Sequence, residues 1–488
     1  MKITYQMPPT VGDIQKKFVS AGYEIYLVGG AVRDMMMGKN PTDWDFTTNA
    51  TPEEILQLFP DGFYDNQFGT VGLPLEALAK GGILLKAESG KRKAESDIVQ
   101  ITTYRTEHGY SDSRRPDKVI WGKTIEEDLS RRDFTINAMA LRLEQESGRV
   151  KEWKGKRKAP ALRLSSSFTL TDPYGGYQDL QNKLIRAVGR ADARFKEDAL
   201  RLMRAIRIAC QLQFQIEQAT LSTIVADSAQ IAHVSYERIR DEFFKILASD
   251  FAYEGILLLR NTNLLSYIMP EFEKGFGVDQ AGPDRHHIYD VATHGLLSLK
   301  ECPSQKPLVR FACLIHDIGK PDVVGKDKKG NTTFYNHEVV GAKIAAKIAN
   351  RFHLSGKDRD LLVKLVRWHL FTVDENQTDS AIRRLIRNIG LENIDDLIDV
   401  RIGDRLGSGL TQAESWRLKL LKDRISKILH PAFAIVDLAV DGKDVMKTLG
   451  IAPGPKVGQI LQKLFEEVDE DMSKNNRDYL LKRVKQLS

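Results

Sequence analysis

The 488-residue sequence contains few cysteines and no long hydrophobic run. Its three cysteines, Cys210, Cys302 and Cys313, have no paired spacing, which argues against a disulfide framework and predicts a reducing compartment. No stretch approaches the ~20 consecutive apolar residues that a membrane helix needs, and the N-terminus carries no apolar signal segment. We therefore expect a cytoplasmic chain with no membrane partner.

A strong charge excess is also missing. Lysine and arginine number 72 against 66 aspartates and glutamates, so the net charge at pH 7 is +6. This balance permits nucleic acid binding but does not by itself indicate it. The fractions of hydrophobic residues (42%) and charged residues (28%) are those of globular domains, and the length predicts about two to four of them.

The most informative segment begins with the apolar run 25–28, which reads as a strand and is followed by Gly29 and Gly30. Glycines at this point let the backbone approach a ligand and present free N–H groups to phosphate. Arg33 and Asp34 open the next predicted helix, whose N-terminus also favours an anion. The segment therefore predicts a phosphate-binding turn.

Two carboxylates, Asp43 and Asp45, follow this turn. In an extended strand their side chains point to the same face. Paired carboxylates near a phosphate cradle suit Mg²⁺, which predicts a two-metal in-line displacement at phosphorus. Each feature alone is common, since a glycine pair is usually a turn and Asp-x-Asp is usually a solvated strand end. The combination is far more specific.

Gly-Gly-x-x-Arg-Asp followed by Asp-x-Asp resembles the signature of class II nucleotidyltransferases, the tRNA CCA-adding and bacterial poly(A) polymerase family. The resemblance implies an α+β fold, with a small α/β catalytic head at 1–190 and a mostly helical neck and body at 191–283 that carries a nucleotide-selecting helix. One departure is Gln100, because the family usually has a glutamate in this strand that would act as a third carboxylate.

A second motif places Arg131, Arg132, Asp133 and Asn137 behind three acidic residues. The pattern also fits a charged helix face with i,i+4 ion pairs. It resembles the family motif Arg-Arg-Asp-[Phe/Leu]-Thr-x-Asn. The resemblance implies that an arginine clamps the triphosphate, since guanidinium matches phosphate in bidentate geometry, and that Asn137 holds the ribose or a metal-bound phosphate.

A third motif contains Glu197, Asp198, Arg201, Arg204 and Arg207. The arginines recur every third residue and form one slanting stripe on a predicted helix, with Asp198 on the same face. An ordinary salt-bridged helix has the same pattern. Alternatively, an aspartate acceptor beside an arginine donor can read the base edge that cytosine and adenine share. The segment resembles the family motif Glu-Asp-x-x-Arg-x-x-Arg, which implies a protein template that selects CTP or ATP.

The second half of the chain contains a set of candidate metal ligands. An adjacent His-Asp pair in a buried helix is costly without a partner, and imidazole with carboxylate suits a divalent transition metal. In order the set is His294, His316, Asp317, His337, His369 and Asp404. It resembles the HD phosphohydrolase domain, here at 284–408. The resemblance implies phosphodiesterase or phosphatase activity, with a 2′,3′-cyclic phosphate or a damaged RNA end as substrate.

The remaining segments are less specific. The stretches 79–96 and 151–170 are predicted to be exposed insertions, and RNA contact is a second reading of 151–170. The 114–117 element, Arg-Arg-Pro-Asp, reads as a surface loop or resembles the flexible loop of CCA-adding members. A helical tail at 409–488 resembles the part of such enzymes that grips tRNA.

These resemblances together imply an enzyme that adds CCA to the 3′ end of tRNA from CTP and ATP, with Mg²⁺ at the head and no nucleic acid template. Three alternatives remain open. The chain could be a poly(A) polymerase, or an enzyme that adds only CC or only A. It could also be a metal phosphohydrolase whose head binds RNA without catalysis, an alternative that Gln100 slightly favours.

Overall fold

The computed structural model describes residues 2–5, 8–41, 43–66, 69–74, 98–108, 118–144, 166–280, 289–371, 373–374, 377–429 and 435–487. The predicted insertion 79–96, the 114–117 element and most of 151–170 lie outside these residues. The chain forms two compact units, Met1–Pro270 and Glu271–Ser488.

The first unit is built on an eight-stranded sheet. The strands of this unit are β1 (Lys2–Tyr5), β2 (Ile25–Val28), β3 (Asp45–Thr48), β4 (Phe63–Asn66), β5 (Thr70–Pro74), β6 (Ile98–Thr103), β7 (Arg105–His108), β8 (Lys118–Trp121), β9 (Ala140–Leu143), β10 (Ser166–Thr171), β11 (Leu184–Ile185) and β12 (Gln215–Ile216). The large sheet has the order β1-β10-β9-β2-β3-β6-β5-β4, and only β3 and β6 are parallel neighbours. β7 and β8 form a separate antiparallel pair, and β11 and β12 a parallel one.

Helices alternate with the strands of the first unit, and after β12 the described residues of this unit contain helices but no further strand. They are α1 (Pro9–Ser20), α2 (Gly30–Met36), α3 (Pro52–Leu58), α4 (Ile125–Ser130), α5 (Gly176–Gln181), α6 (Ala191–Glu197), α7 (Leu200–Leu212), α8 (Gln218–Ala226), α9 (Tyr236–Leu247), α10 (Ala252–Asn261) and α11 (Leu264–Ile268). The start of α3 is fixed by a capping box, in which two nearby residues hydrogen-bond to each other's backbone. The Thr51 side chain accepts a hydrogen bond from the Glu54 N–H, and the Glu54 carboxylate accepts one from the Thr51 N–H.

The sheet brings distant segments to one edge. Leu27 of β2 pairs with Phe46 of β3, so the turn after β2 lies next to the start of β3. On the other side of β3, Asp45 pairs with Gln100 of β6. Leu27 and Phe46 are buried beneath this edge, which anchors it to the core of the head.

The second unit is almost entirely helical. Its helices, the first of which begins at the last residue of the first unit, are α12 (Pro270–Glu273), α13 (Val291–Lys300), α14 (Pro307–Ile315), α15 (Lys320–Val323), α16 (His337–Arg351), α17 (Gly356–Trp368), α18 (Asp379–Ile389), α19 (Ile394–Gly407), α20 (Trp416–Leu429), α21 (Gly442–Leu449), α22 (Pro455–Glu470) and α23 (Arg477–Gln486). Two short strands, β13 (Gly325–Lys326) and β14 (Thr332–Thr333), pair antiparallel. The C-terminal helices α21 to α23 share a core that includes Val445, Leu464 and Leu480.

Close helix packing in this unit depends on glycine. A Cβ on Gly403 of α19 would lie 2.3 Å from Sγ of Cys313, and one on Gly319 would lie 2.2 Å from the carbonyl oxygen of His337. Because both positions lie beside predicted metal ligands, these glycines let the segments that carry the ligands approach one another.

The predicted α+β class, with a head containing a sheet and a helical remainder, is confirmed. Among the described residues, no helix combines the length and the apolar character needed to span a bilayer.

Candidate active sites

The first candidate site lies at the sheet edge where β2 ends. Gly29 has φ +72°, a left-handed conformation that favours glycine. A Cβ at this position would lie 3.3 Å from Nη1 of Arg132 and 3.7 Å from Oδ2 of Asp45. The backbone of Gly29 is therefore open to the same space that a guanidinium and a carboxylate approach.

The two predicted metal carboxylates do not share a strand. β3 begins at Asp45, and Asp43 lies in a bend before it and is exposed, so the expectation of one extended segment is wrong. The carboxylates still interact. Burial raises the pKa of Asp45, Arg132 opposes this shift and Asp43 adds to it. The two carboxylates repel each other at this sheet edge. A divalent cation bound between them would remove this repulsion, and carboxylate oxygens are ligands that such a cation prefers.

Gln100 stands beside Asp45 in the parallel register of β3 and β6. Paired residues of neighbouring strands project to the same face, so an amide is present where the family resemblance places a third carboxylate.

Arg131 and Arg132 share one buried anchor, Asp128. Nη2 of Arg131 lies 2.6 Å from Oδ1 of Asp128, and Nη2 of Arg132 lies 3.1 Å from Oδ2. Although burial acts against it, these two arginines hold the pKa of Asp128 below its usual range. Asp128 thus fixes Arg132 in its direction toward Asp45, a role that the sequence analysis missed.

Asp133 and Asn137 belong to a hydrogen-bond chain that connects the head to α7. Arg33 donates from Nη1 to Oδ1 of Asn137 (3.0 Å), and Asn137 donates from Nδ2 to Oδ1 of Asp133 (3.1 Å). Arg204 of α7 donates from Nε to Oδ2 of Asp133 (2.8 Å). The backbone N–H of Phe134 also donates to Asp133, so the bonding capacity of this carboxylate is used inside the protein.

Replacing Asp133 with asparagine should destabilise the first unit. Burial acts against ionisation, but Arg204 and Asn137 hold the pKa of Asp133 far below its usual value. The variant leaves Arg204 without its carboxylate. Because the Arg204 side chain is 37% exposed and solvent screens part of its charge, we expect a loss of about 2–3 kcal/mol and a drop of roughly 5–10 °C in the thermal midpoint.

The pH dependence tests the same point. A carboxyl whose folded-state pKa is lowered stabilises the fold above its unfolded pKa of about 3.9, and that contribution is lost as the pH falls below it. Melting curves from pH 7 to pH 3 should therefore fall less steeply for Asp133→Asn than for the wild type. Asp13→Asn, at a side chain that is 72% exposed, is the control. Identical curves for all three proteins would contradict the assignment.

The helix predicted to carry the third motif is interrupted. α6 ends at Glu197 and α7 begins at Leu200, so Asp198 lies between two helices and does not share a helical face with Arg201. Asp198 accepts a hydrogen bond from the Leu200 N–H (3.1 Å) through Oδ1 and from Nη2 of Arg238 (2.7 Å) through Oδ2. The arginine beside Asp198 is therefore Arg238 of α9, which no sequence motif indicated.

The three arginines of α7 serve different partners. Arg201 is buried and donates from Nη1 to Glu197 Oε2 (2.6 Å), while its Nη2 donates to the carbonyl oxygen of Arg131 (2.9 Å). Arg204 pairs with Asp133, as described above. Arg207 donates from Nε to Oε2 of Glu242 (2.5 Å). Glu197 and Arg201 thus form one unit that also contacts the second motif.

The second candidate site lies in the unit Glu271–Ser488. His294 lies on α13, and Asp404 lies on α19. His337 is the first residue of α16, and His369 directly follows α17. The His316-Asp317 pair follows the end of α14 instead of lying inside a helix as expected.

The structure brings all six predicted ligands together. One group contains His294, His316 and Asp317, and another contains Asp317, His337 and His369, with ligand atoms within 4.8 Å of one another in each group. Oδ1 of Asp404 lies 3.1 Å from Nε2 of His294 and 3.6 Å from Nε2 of His316, so it joins the first group. Asp317 belongs to both groups, which is the arrangement of a two-ion site with one shared carboxylate.

Backbone carbonyls orient three of the histidines. Nδ1 of His316, His337 and His369 lies 2.7–2.8 Å from the carbonyl oxygen three residues earlier in each case. When Nδ1 carries the proton, the Nε2 lone pair points into the cluster. Within the described structure, buried Nε2 of His337 and of His369 has no hydrogen-bond partner. These lone pairs fit a bound divalent cation.

The electrostatics of this cluster favour positive charge. Burial acts to raise the pKa values of Asp317 and Asp404, but the cationic and hydrogen-bonding groups around these two carboxyls hold the values well below the usual range. Burial acts to lower the pKa of His316, but the same two carboxylates raise it to about 10. Nζ of Lys320, which the sequence analysis did not select, lies 2.6 Å from Oδ2 of Asp317. The cluster therefore concentrates anionic ligands, which suit a bound cation.

Four protein-family models match the chain. They are the Poly A polymerase head domain at 25–186, the probable RNA and SrmB-binding site of polymerase A at 213–276, the HD domain at 285–406 and the putative tRNA nucleotidyltransferase domain 2 at 368–484.

Similar proteins span nearly the whole chain. The A-adding tRNA nucleotidyltransferase of Deinococcus radiodurans is 31% identical over 453 residues, 90% of each chain. The CCA-adding enzyme of Pediococcus pentosaceus is 30% identical and covers 97% of this chain and 96% of its own. The crystal structure of the Bacillus stearothermophilus CCA-adding enzyme in complex with CTP shares the fold, with a TM-score of 0.63, 24% identity and 98% coverage of both chains. The chain therefore belongs to the family of tRNA nucleotidyltransferases that includes the CCA-adding enzymes, and it also contains an HD domain.

Proposed function

We propose that this chain completes the 3′ end of tRNA by adding CCA from CTP and ATP without a nucleic acid template. The observation that carries the proposal is the meeting of Gly29, Asp45 and Arg132 at one sheet edge. In a chain related along its length to CCA-adding enzymes, this edge has the groups that nucleotidyl transfer requires.

Each group has a separate task in the proposed reaction. The RNA 3′-hydroxyl attacks the α-phosphate of the bound nucleotide, and pyrophosphate leaves. Asp43 and Asp45 would hold Mg²⁺, which when bound supplies Lewis-acid activation and charge compensation for this displacement. Gly30, Arg33 and Arg132 bind the triphosphate. Arg33 is positioned for this by its bonds to Asp34 and Asn137.

Base selection is assigned to the junction of α6 and α7. Asp198 accepts from the exocyclic amino group that cytosine and adenine share, and Arg201 donates to the neighbouring ring position. Glu197 orients Arg201, while Arg238 orients Asp198 and competes with the base for it. Arg204 and Arg207 pair with Asp133 and Glu242, and we assign them to positioning this helix.

Arg201→Ala should lower discrimination for CTP and ATP over UTP and GTP by about 10- to 100-fold, the value of one hydrogen bond from a charged donor. Arg238→Gln should also change this discrimination with less risk to the fold, because Arg201 additionally contacts a backbone carbonyl of the second motif. Competition assays with paired nucleotides measure the ratio. Arg190→Ala, at a side chain that is 82% exposed, is the control. Unchanged ratios in both variants would refute the template assignment.

An incorporation assay tests the proposed reaction. The enzyme is incubated with Mg²⁺, tRNA lacking its last three nucleotides, and labelled CTP, labelled ATP or both. Two residues added from CTP alone and three from both nucleotides support it. A-only addition is a second candidate, favoured by the similarity to the A-adding relative from Deinococcus radiodurans. It predicts incorporation only on tRNA that already ends in CC. A long run of A would indicate a poly(A) polymerase instead.

The HD cluster supports a second activity, hydrolysis of a phosphate ester. His294, His316 and Asp404 would hold one divalent transition metal ion and His337 and His369 another, with Asp317 shared. When bound, such ions supply a Lewis acid for attack of water at phosphorus. A 2′,3′-cyclic phosphate or a damaged RNA end is the proposed substrate.

We also propose a division of the chain into four parts. The matched segments 25–186, 213–276 and 285–406 fall within the head at 1–190, the neck and body at 191–283 and the HD domain at 284–408. The tail at 409–488 is proposed to bind tRNA. All three cysteines are free thiols, which is consistent with a cytoplasmic location, where we place this enzyme.

A further inference from the structure

A cavity of about 440 Å³ opens beside the HD cluster. Two predicted metal ligands, His337 and Asp404, contribute to its wall, and Arg417, Leu418 and Leu421 of the tail helix α20 form another part of it. The pocket next to the cluster is therefore completed by a segment outside the predicted HD domain.

Two of the cations on this wall are committed to metal ligands. Lys320 pairs with Asp317, and Arg401 donates from Nη1 to Oδ2 of Asp404 (2.9 Å). Arg405 and Arg417 differ from them. Arg405 uses Nε on the carbonyl oxygen of Gln412 (2.8 Å), and Arg417 lies over the ring of the neighbouring Trp416.

Neither Arg405 nor Arg417 forms an ion pair with a carboxylate among the residues that the structure describes. Most arginines of both candidate sites do form one. Two guanidinium groups without a carboxylate partner, in a cavity that also exposes metal ligands, match the requirements of phosphate oxygens.

Part of the cavity lining is apolar. Phe334, Leu418 and Leu421 are buried, whereas the ring of Tyr335 is 74% exposed on the lining. A planar, weakly polar group fits such a wall, and an exposed aromatic ring offers it a stacking surface. The cavity volume lies within the range typical of small-molecule sites and is far too small for folded RNA.

We propose that this cavity binds one nucleotide through its terminal phosphate, with Arg405 and Arg417 on the phosphate oxygens and the apolar side chains of the lining, Phe334, Leu418 and Leu421, against the nucleoside. The inference rests on the proposed HD activity, because it would place the phosphate beside His337 and Asp404. A free mononucleotide and the phosphorylated 3′ end of an RNA have the same chemistry. The tail helix thus selects the substrate of the HD site.

Calorimetric titration of the full chain with Mn²⁺ and the methylene phosphonate analogue of AMP tests this proposal, since the C–P bond of the analogue is not hydrolysed. Arg417→Gln should weaken binding about tenfold or more. Lys419→Gln removes the same charge from the same helix, two residues away and off the cavity lining, and should leave the affinity unchanged. Equal affinities for the wild type and Arg417→Gln would overturn the proposal.

The source of the nucleotide is resolved by a parallel titration with tRNA that ends in a 3′-phosphate. Weaker binding of Arg417→Gln to this tRNA, but not to the same tRNA with a 3′-hydroxyl, supports an RNA end as the source. Weaker binding to the analogue alone supports a free mononucleotide. Hydrolysis of p-nitrophenyl phosphate separates the two proposals. A wild type that binds the analogue through Arg417 but hydrolyses nothing would retain the nucleotide site and refute the phosphohydrolase activity.

Discussion

Asp45→Asn is expected to reduce nucleotide addition about a thousandfold or more, equal to about 4 kcal/mol of transition-state stabilisation. The substitution removes a negative charge next to Asp43 and Arg132 at the sheet edge but keeps the shape of the side chain. Asp43→Asn should have a similar effect, because neither carboxylate alone provides the proposed ion site. Incorporation of labelled CMP and AMP into tRNA that lacks CCA measures both.

The loss should be specific to the chemistry of the head. Asp61→Asn, at an exposed position in the same unit, should keep wild-type incorporation, and all three proteins should melt within a few degrees of one another. Phosphate ester hydrolysis by the HD site should be unchanged in all of them. Retention of more than about a tenth of the activity by Asp45→Asn would contradict the assigned ion site.

Asp317→Asn is expected to remove both ions from the HD cluster and to abolish its phosphohydrolase activity. The reason is geometric, since both ligand groups include this one carboxylate. The variant also leaves the buried Lys320 without its carboxylate, which costs about 3–5 kcal/mol. His369→Gln, which removes one ligand of one group, separates metal loss from unfolding and should lose a single ion.

Metal content after dialysis, measured by mass spectrometry, gives the outcome. We expect two ions in the wild type, one in His369→Gln and none in Asp317→Asn, with CCA addition retained by His369→Gln. His233→Gln, at an exposed histidine outside the cluster, is the matched control and should keep both ions. Two ions in Asp317→Asn would show that this carboxylate is not shared.

The sequence predicted best those features that depend on segments close together in the chain. One strand, one short helix and the next strand bring Gly29 and Asp45 together. Their spacing in the sequence was therefore enough to predict that they lie close to each other. The order of the HD ligands likewise predicted a cluster that the structure assembles. Asp43 was misplaced because the strand starts two residues later than its pattern indicated.

Other features depend on contacts that no local pattern records. Arg238 reaches Asp198 from a helix 40 positions further on, and Asp128 became an anchor only when α4 was buried. Helical periodicity predicted one continuous helix here, whereas the helix is interrupted between α6 and α7, where Asp198 bonds to Arg238. The contribution of α20 to the HD pocket has the same origin, because it depends on how this helix packs beside the cluster.

The most direct test of the central claim is the length of the product formed on tRNA that lacks its last three nucleotides, with CTP, ATP and Mg²⁺ all present. Gel electrophoresis at single-nucleotide resolution should show a product longer by C, C and A that does not grow further. Absence of any product on this tRNA, together with addition of one A to tRNA ending in CC, would contradict CCA addition and identify an A-adding enzyme.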